Sequence, residues 1–189
     1  MTETTIVELR QYTMQPGGRD VLAQLFADHL IEGQKAVGMK VLGLYRDLDR
    51  PDRFVWLRGF SDMAARKLAL TQFYGESETW RTHGPAANAT MVDSSDVLLL
   101  RPLSELRFPI AARTVATIHP EPENAPRVEA VVRLETEPAH NDFPRLPVRT
   151  DGPKLVWFNV FDDEEQQETY LDELGLPREW SLRLAPLFD

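Results

Sequence analysis

Residues 53–63 read RFVWLRGFSDM, an apolar run rich in aromatic and β-branched residues that passes directly into Ser61-Asp62, whose side chains can cap a helix. The stretch is predicted to be a buried strand running into a helix. It recurs at residues 154–164 as KLVWFNVFDDE, where Val156, Trp157, Phe161 and Asp163 match Val55, Trp56, Phe60 and Asp62 at a constant offset of 101. Two related units in one chain are therefore expected.

Working outward from the first copy, Ile6 to Met14 alternates Ile6, Glu8, Arg10 and Tyr12 against Val7, Leu9, Gln11 and Thr13, the period of a strand. From Arg19 to Val37, Leu22, Leu25, Phe26, Leu30 and Val37 recur at helical spacing, and Gly38 is placed to take the left-handed conformation after the last turn. Val41 to Arg46 is a second strand, joined by LDRPDR to the strand at Phe54. A helix over Ala64 to Phe73 follows, ended by Gly75. Trp80 to Met91 is expected to be a short helical excursion interrupted at Gly84-Pro85, and Val97 to Arg101 a last strand closed by Pro102. The order β-α-β-β-α-β is that of a ferredoxin-like unit, with helices on one face of an antiparallel sheet.

The second copy is abbreviated. Thr114 to Ile118, Val128 to Glu135, Leu155 to Phe161 and Leu182 to Leu184 are predicted strands, and Asp163 to Leu174 a helix. PEPENAP stands where the first helix would be, and its prolines forbid one. The expected fold is α+β: tandem ferredoxin-like units, the second degenerate, forming an α/β barrel within the chain or between two chains. The expected domains are 1–102, a linker at 103–112, and 113–189. A sheet face left partly uncovered by the shortened unit points to a homodimer.

Composition excludes several chemistries. The chain has 189 residues and no cysteine, so disulfides, thiolate zinc sites, iron–sulfur clusters and a cysteine nucleophile are out. A net charge of −9 disfavours nucleic acid and anionic membranes as partners. No leader-like or membrane-spanning stretch stands out, and a cytoplasmic location is expected. The acidity is concentrated in the second half, above all in DDEEQQETYLDE from Asp162, which reads as the solvated face of a helix or, alternatively, a docking surface.

Several ordered stretches, IVELRQYTMQPG, GLYRDLDRPDRFVWLRGFSDMAAR and FYGESETWRTHGPAANATMVDSSDVLLLRP, together resemble the NIPSNAP family over about the first 102 residues. HNDFPRLPVRTDGPKLVWF is similar to a companion segment of longer bacterial members. The resemblance implies a dimeric α+β barrel. Across that wider group it implies cofactor-free monooxygenases, isomerases, decarboxylases and heme-dependent enzymes, with a cavity beside the sheet. Fold analogy does not choose among them.

No pair among His29, His83, His119 and His140 has metal-ligand spacing, so neither a metal nor another cofactor is expected. His29 or His83 would be the ligand if the protein bound heme. His83 shares an irregular segment with Trp80 and Asn88, residues suited either to a pocket mouth or to loop hydrogen bonds. Arg10, Tyr12, Tyr45, Trp56 and Arg58 sit on strands of the first unit, Trp56 and Arg58 on one face, and a face holding Glu8, Arg10 and Tyr12 is too polar to pack under helices. Turned into a barrel, they would bind an aromatic acid or phenolate, or else form an inter-sheet interface. Arg145 and Arg149, beside His140 and Asn141 in a proline-punctuated loop, form a candidate lid, or an edge whose arginines answer the acidic helix. The functional expectation is a protein binding a small aromatic or polyketide-like molecule. A monooxygenase or isomerase version would use His83, Tyr45 or Arg58 as catalytic groups. The rival is a non-catalytic oligomerisation or interaction module.

Overall fold

The computed structural model describes residues 3–108 and 113–188. Eight strands, all paired antiparallel, close into one barrel: β1 (Ile6–Met14), β2 (Lys40–Asp47), β3 (Arg53–Phe60), β4 (Met91–Pro102), β5 (Arg113–His119), β6 (Val132–Thr136), β7 (Leu155–Phe161) and β8 (Ser181–Pro186). Around the barrel the order is β1-β3-β2-β8-β5-β7-β6-β4, with β4 returning to β1. The first four strands thus stand as β4-β1-β3-β2 and the last four, in the same succession, as β8-β5-β7-β6. The partner sheet that the first half needs is supplied by the second half of the same chain. That removes the uncovered face on which the expectation of a homodimer rested. Of the expected linker, residues 109–112 lie outside the described residues.

The barrel interior is aliphatic. Val7, Leu9, Val55, Leu57, Leu98, Leu100, Ala116, Val132, Leu134, Val156, Leu182 and Leu184 fill it together with Tyr45 and Phe158. The alternate positions Ile6, Tyr12, Phe54, Trp56 and Phe60 face outward into a second core, built with the helices of the first half. This corrects the facing inferred from polarity. Glu8, Arg10, Tyr12, Trp56 and Arg58 lie under the helices and not inside the barrel, because their charges are paired among themselves and with a helix residue.

Those helices are α1 (Gly18–Leu25), α2 (Ile31–Ala36), α3 (Met63–Thr71) and α4 (Glu78–Ala89), with a π-helical turn, Phe26–Leu30, between α1 and α2 and another, Gln72–Glu76, following α3. Gly38 ends α2's chain at φ 86°, as expected. The expected break at Gly84-Pro85 does not occur, and α4 runs through Pro85. A proline ring crowds the Cβ of the residue before it, and Gly84 has none. That glycine is also required by packing, since a Cβ there would stand 2.7 Å from the Trp80 ring.

In the second half, α5 (Glu164–Leu174) begins at Asp163, whose side chain accepts from Gln166 N as Asp62 accepts from Ala65 N at the start of α3. The acidic run is partly paired internally, since Glu164 and Glu168 meet Arg113, Arg178 and Arg183. Gln167 is buried and donates to the Thr114 and Leu184 carbonyls, fastening α5 to two barrel strands. Among the described residues no helix is long and apolar enough to cross a membrane.

Candidate functional site

Beneath α3, one carboxylate gathers three arginines. Glu8 Oε2 accepts from Arg10 Nη1 at 2.6 Å and Arg58 Nε at 2.7 Å, and Glu8 Oε1 accepts from Arg66 Nε at 2.7 Å. All four side chains are essentially inaccessible. Burial alone would raise the Glu8 pKa, but Arg58, Arg10 and Arg66 outweigh it and hold the carboxyl well below the usual range. Arg66 also reaches Asp142, which is 29% exposed, and Asn141. The buried charge is therefore lopsided toward the cation.

Two of the arginines pass this charge to tyrosines. Arg10 Nε donates to the Tyr12 hydroxyl at 2.7 Å and Arg58 Nη1 to the Tyr74 hydroxyl at 3.0 Å. Arg58 also lies over the Trp56 ring, 5.2 Å from its centre. Burial raises the Tyr12 pKa, an effect only partly offset by Arg10, so the ring keeps its proton at neutral pH.

Tyr12, Trp56 and Tyr74 form one wall of a cavity of about 30 Å³ between sheet and helices, enclosed also by Phe26, Phe73 and Trp80. Both π turns face this space, one through Phe26 and Leu30 and the other through Phe73 and Tyr74. Such turns insert a residue into a helix and recur at functional sites. Two lining groups are buried without a partner among the described residues, the donor Trp56 Nε1 and the acceptor Gln34 Oε1. Tyr74 and Trp80 pack edge to face at 4.7 Å and also line an outer pocket of about 270 Å³ with Asn88 and Arg145. They are the partition between the two spaces. Joined, these spaces reach the lower end, about 300 Å³, of the usual range for small-molecule sites.

The structure thus gathers Arg10, Tyr12, Trp56, Arg58, Trp80, Asn88 and Arg145 around one layer. Tyr45 lies apart in the barrel interior, its pKa pushed up to about 12 by burial. His83 and His29 are half-buried and stack on each other at 3.7 Å. Arg149 pairs with Asp96 and Asp151, and Arg145 donates to the Tyr74 carbonyl, so neither arginine answers the acidic helix. Their loop instead covers the arginine cluster and borders a separate groove of about 620 Å³. Sequence reasoning missed Glu8 as the hub, and also Arg66, Gln34 and Tyr74. The π turns leave no sequence signature, but Glu8, Arg10 and Arg58 on facing strands could have signalled a buried cluster.

The second half carries uncharged side chains at the positions that match the cluster. Arg10 faces Trp56 across β1 and β3 as Thr117 faces Trp157 across β5 and β7, and Glu8 faces Arg58 as Val115 faces Asn159. The offset of 101 places Gln167 at the position of Arg66 and Tyr170 at that of Ala69. Trp157 Nε1 donates to the Tyr170 hydroxyl at 3.0 Å. Its counterpart on Trp56 has no such partner.

Among the described residues, no cluster of three His, Asp or Glu is arranged to hold a metal ion. No curated protein matches the sequence. Solved structures do. A NIPSNAP family protein from Agrobacterium tumefaciens is 21% identical, with a TM-score of 0.50 over 57% of this chain and 95% of its own. A second from the same organism is 18% identical, with a TM-score of 0.49 over 57% and 97%. A NIPSNAP-like domain protein from Burkholderia xenovorans is 24% identical, with a TM-score of 0.48 over 57% and 97%. The likeness is one of fold. The NIPSNAP family profile matches residues 7–106, the span that forms the first sheet, its helices and the arginine cluster. This chain belongs to the NIPSNAP family.

Proposed function

We propose that the protein binds a small aromatic molecule between the first sheet and its helices, and that its halves are tandem ferredoxin-like units of which only the first kept a binding layer. The observation that carries the reading is the contrast between register-equivalent positions. Arg10, Arg58 and Arg66 stand where the second half has Thr117, Asn159 and Gln167. At those three positions the second half closes the same kind of sheet with neutral side chains, so the fold does not require arginines there. Desolvating three guanidiniums is costly, and retaining them in one half only fits a role in binding. The ligand enters through the outer pocket when Trp80 and Tyr74 swing aside, and stacks among Phe26, Trp56 and Phe73.

The test is titration with phenol and 1-naphthol, followed by tryptophan fluorescence and checked by calorimetry. Saturable binding with one site per chain, weakened in Trp56→Phe, is expected. Absence of saturation at millimolar ligand, or identical affinity in the variant, would rule the site out. A catalytic version, oxygenation or isomerisation without a cofactor, would rest on Arg58 and the tyrosines it faces. It predicts oxygen uptake, or a shift in the bound ligand's absorption, when the protein meets an electron-rich phenol. His83 and Tyr45, set apart from the cavity, would matter little to either readout.

A further inference from the structure

We infer that the ligand of this site is a hydroxy-substituted aromatic carboxylate, its acid group held by Tyr12, Tyr74 and Trp56 and its hydroxyl by Gln34. The inference rests on the aromatic-site reading above and adds the polarity of the ligand to it.

A tyrosine hydroxyl has one hydrogen to donate and lone pairs to accept with. Arg10 Nε and Arg58 Nη1 occupy the accepting side of Tyr12 and Tyr74, and among the described residues neither hydroxyl has an acceptor for its own hydrogen. Both residues line the cavity. Their hydrogens, together with the unpartnered Trp56 Nε1–H, give the cavity three donors. Two of these are backed by guanidinium groups, which draw electron density from the hydroxyls and strengthen them as donors. The lining offers one unpartnered acceptor, Gln34 Oε1.

Three donors and one acceptor do not suit a hydrocarbon or an amine. A carboxylate, which only accepts and takes up to four bonds, suits the donor set. It also answers the charge, since among the described residues Arg10, Arg58 and Arg66 share a single fully buried carboxylate, Glu8, with the part-exposed Asp142 as the only other acid on the cluster. A monoanion beside Tyr12 and Tyr74 would lie just across those rings from Arg10 and Arg58. The rest of the lining, Phe26, Phe73 and Trp80, favours an aromatic ring between the acid and Gln34. A hydroxyl on that ring gives Gln34 the donor it lacks.

The experiment is calorimetric titration of the full chain with 3- and 4-hydroxybenzoate, against the matching hydroxybenzamides and phenol, repeated in Tyr74→Phe and Tyr12→Phe. Circular dichroism would check that each variant keeps its fold. The acid is expected to bind about tenfold or more tightly than its amide, as charge-assisted hydrogen bonds are stronger than neutral ones. Tyr74→Phe, at a half-buried position, should erase most of that preference while phenol still binds. Equal affinity for acid and amide would overturn the inference and leave the aromatic site standing. Binding of none of the compounds would overturn both. If Tyr12→Phe does not fold, Tyr74→Phe alone decides: a preference unchanged in that variant removes the donor cluster as its cause.

Discussion

Glu8 on β1 and Arg66 on α3 meet at 2.7 Å with neither side chain reaching solvent, and this contact fastens the first sheet to the helix above it. Glu8→Gln keeps the shape and removes the charge, leaving three guanidiniums facing a neutral amide. Breaking a buried ion pair from one side costs about 3–5 kcal/mol. Denaturant unfolding should show a loss of that size, and a change under about 1 kcal/mol would mean that the arginines repel one another less than their burial implies.

The same carboxyl sets an acid limit. Its pKa is lower in the folded chain than the roughly 4.3 of an unfolded glutamate. Its contribution is therefore fully present above about pH 4.3 and is lost as pH falls below that value, because the unfolded chain takes up the proton first. Thermal midpoints between pH 6 and pH 3 should drop more steeply for the natural protein than for Glu8→Gln. Asp151, also held low by Arg149 but at the surface, adds a smaller trend of the same sign to both curves. Parallel curves would assign the acid sensitivity elsewhere.

Trp80 and Tyr74 separate the inner cavity from the outer pocket. Trp80→Ala should join the two and admit small solutes to Trp56, which is only 2% exposed. Acrylamide quenching, measured with Trp180→Phe in both proteins and against Trp80→Phe as the reference so that neither outer indole contributes, should rise severalfold. Ligand association should quicken as well. Unchanged quenching would mean that solutes reach the cavity by another route.

Asp62 and Asp163 cap α3 and α5 in the same way, each accepting one backbone hydrogen bond three residues on. Replacing either by alanine should lower stability by about 1 kcal/mol. Similar losses in the two variants are expected from denaturant titration. A much larger effect for Asp163 would show that α5 is the weaker-held helix, and would break the correspondence between the halves.

The repeated strands were readable because VW…F…D combines β-branched and aromatic residues with a helix cap, and local chemistry of that kind survives divergence. The strand at Leu155–Phe161 and the cap at Asp163 are where the sequence places them. The facing of β1 was not readable from polarity alone. Glu8 and Arg10 look like solvent residues until Arg58 and Arg66, 50 and 58 positions away, are brought beside them. Pro85 misled because the rule against proline in helices concerns its neighbours as much as itself, and Gly84 removes the clash. Gln34 and Tyr74 gave no signal. Their roles arise from where two π turns set the helices over the sheet, a tertiary outcome.

Trp157 and Trp56 occupy matching places on matching strands, and the hydroxyl of Tyr170 answers the first of them from within the chain. Tyr170 takes the place of Ala69, so a phenol is tethered in one half where the other has only a methyl group. The second half thus seats an aromatic ring bearing oxygen against its indole N–H, held there by covalent attachment to the chain. In the first half the Trp56 N–H is left without such a partner among the described residues.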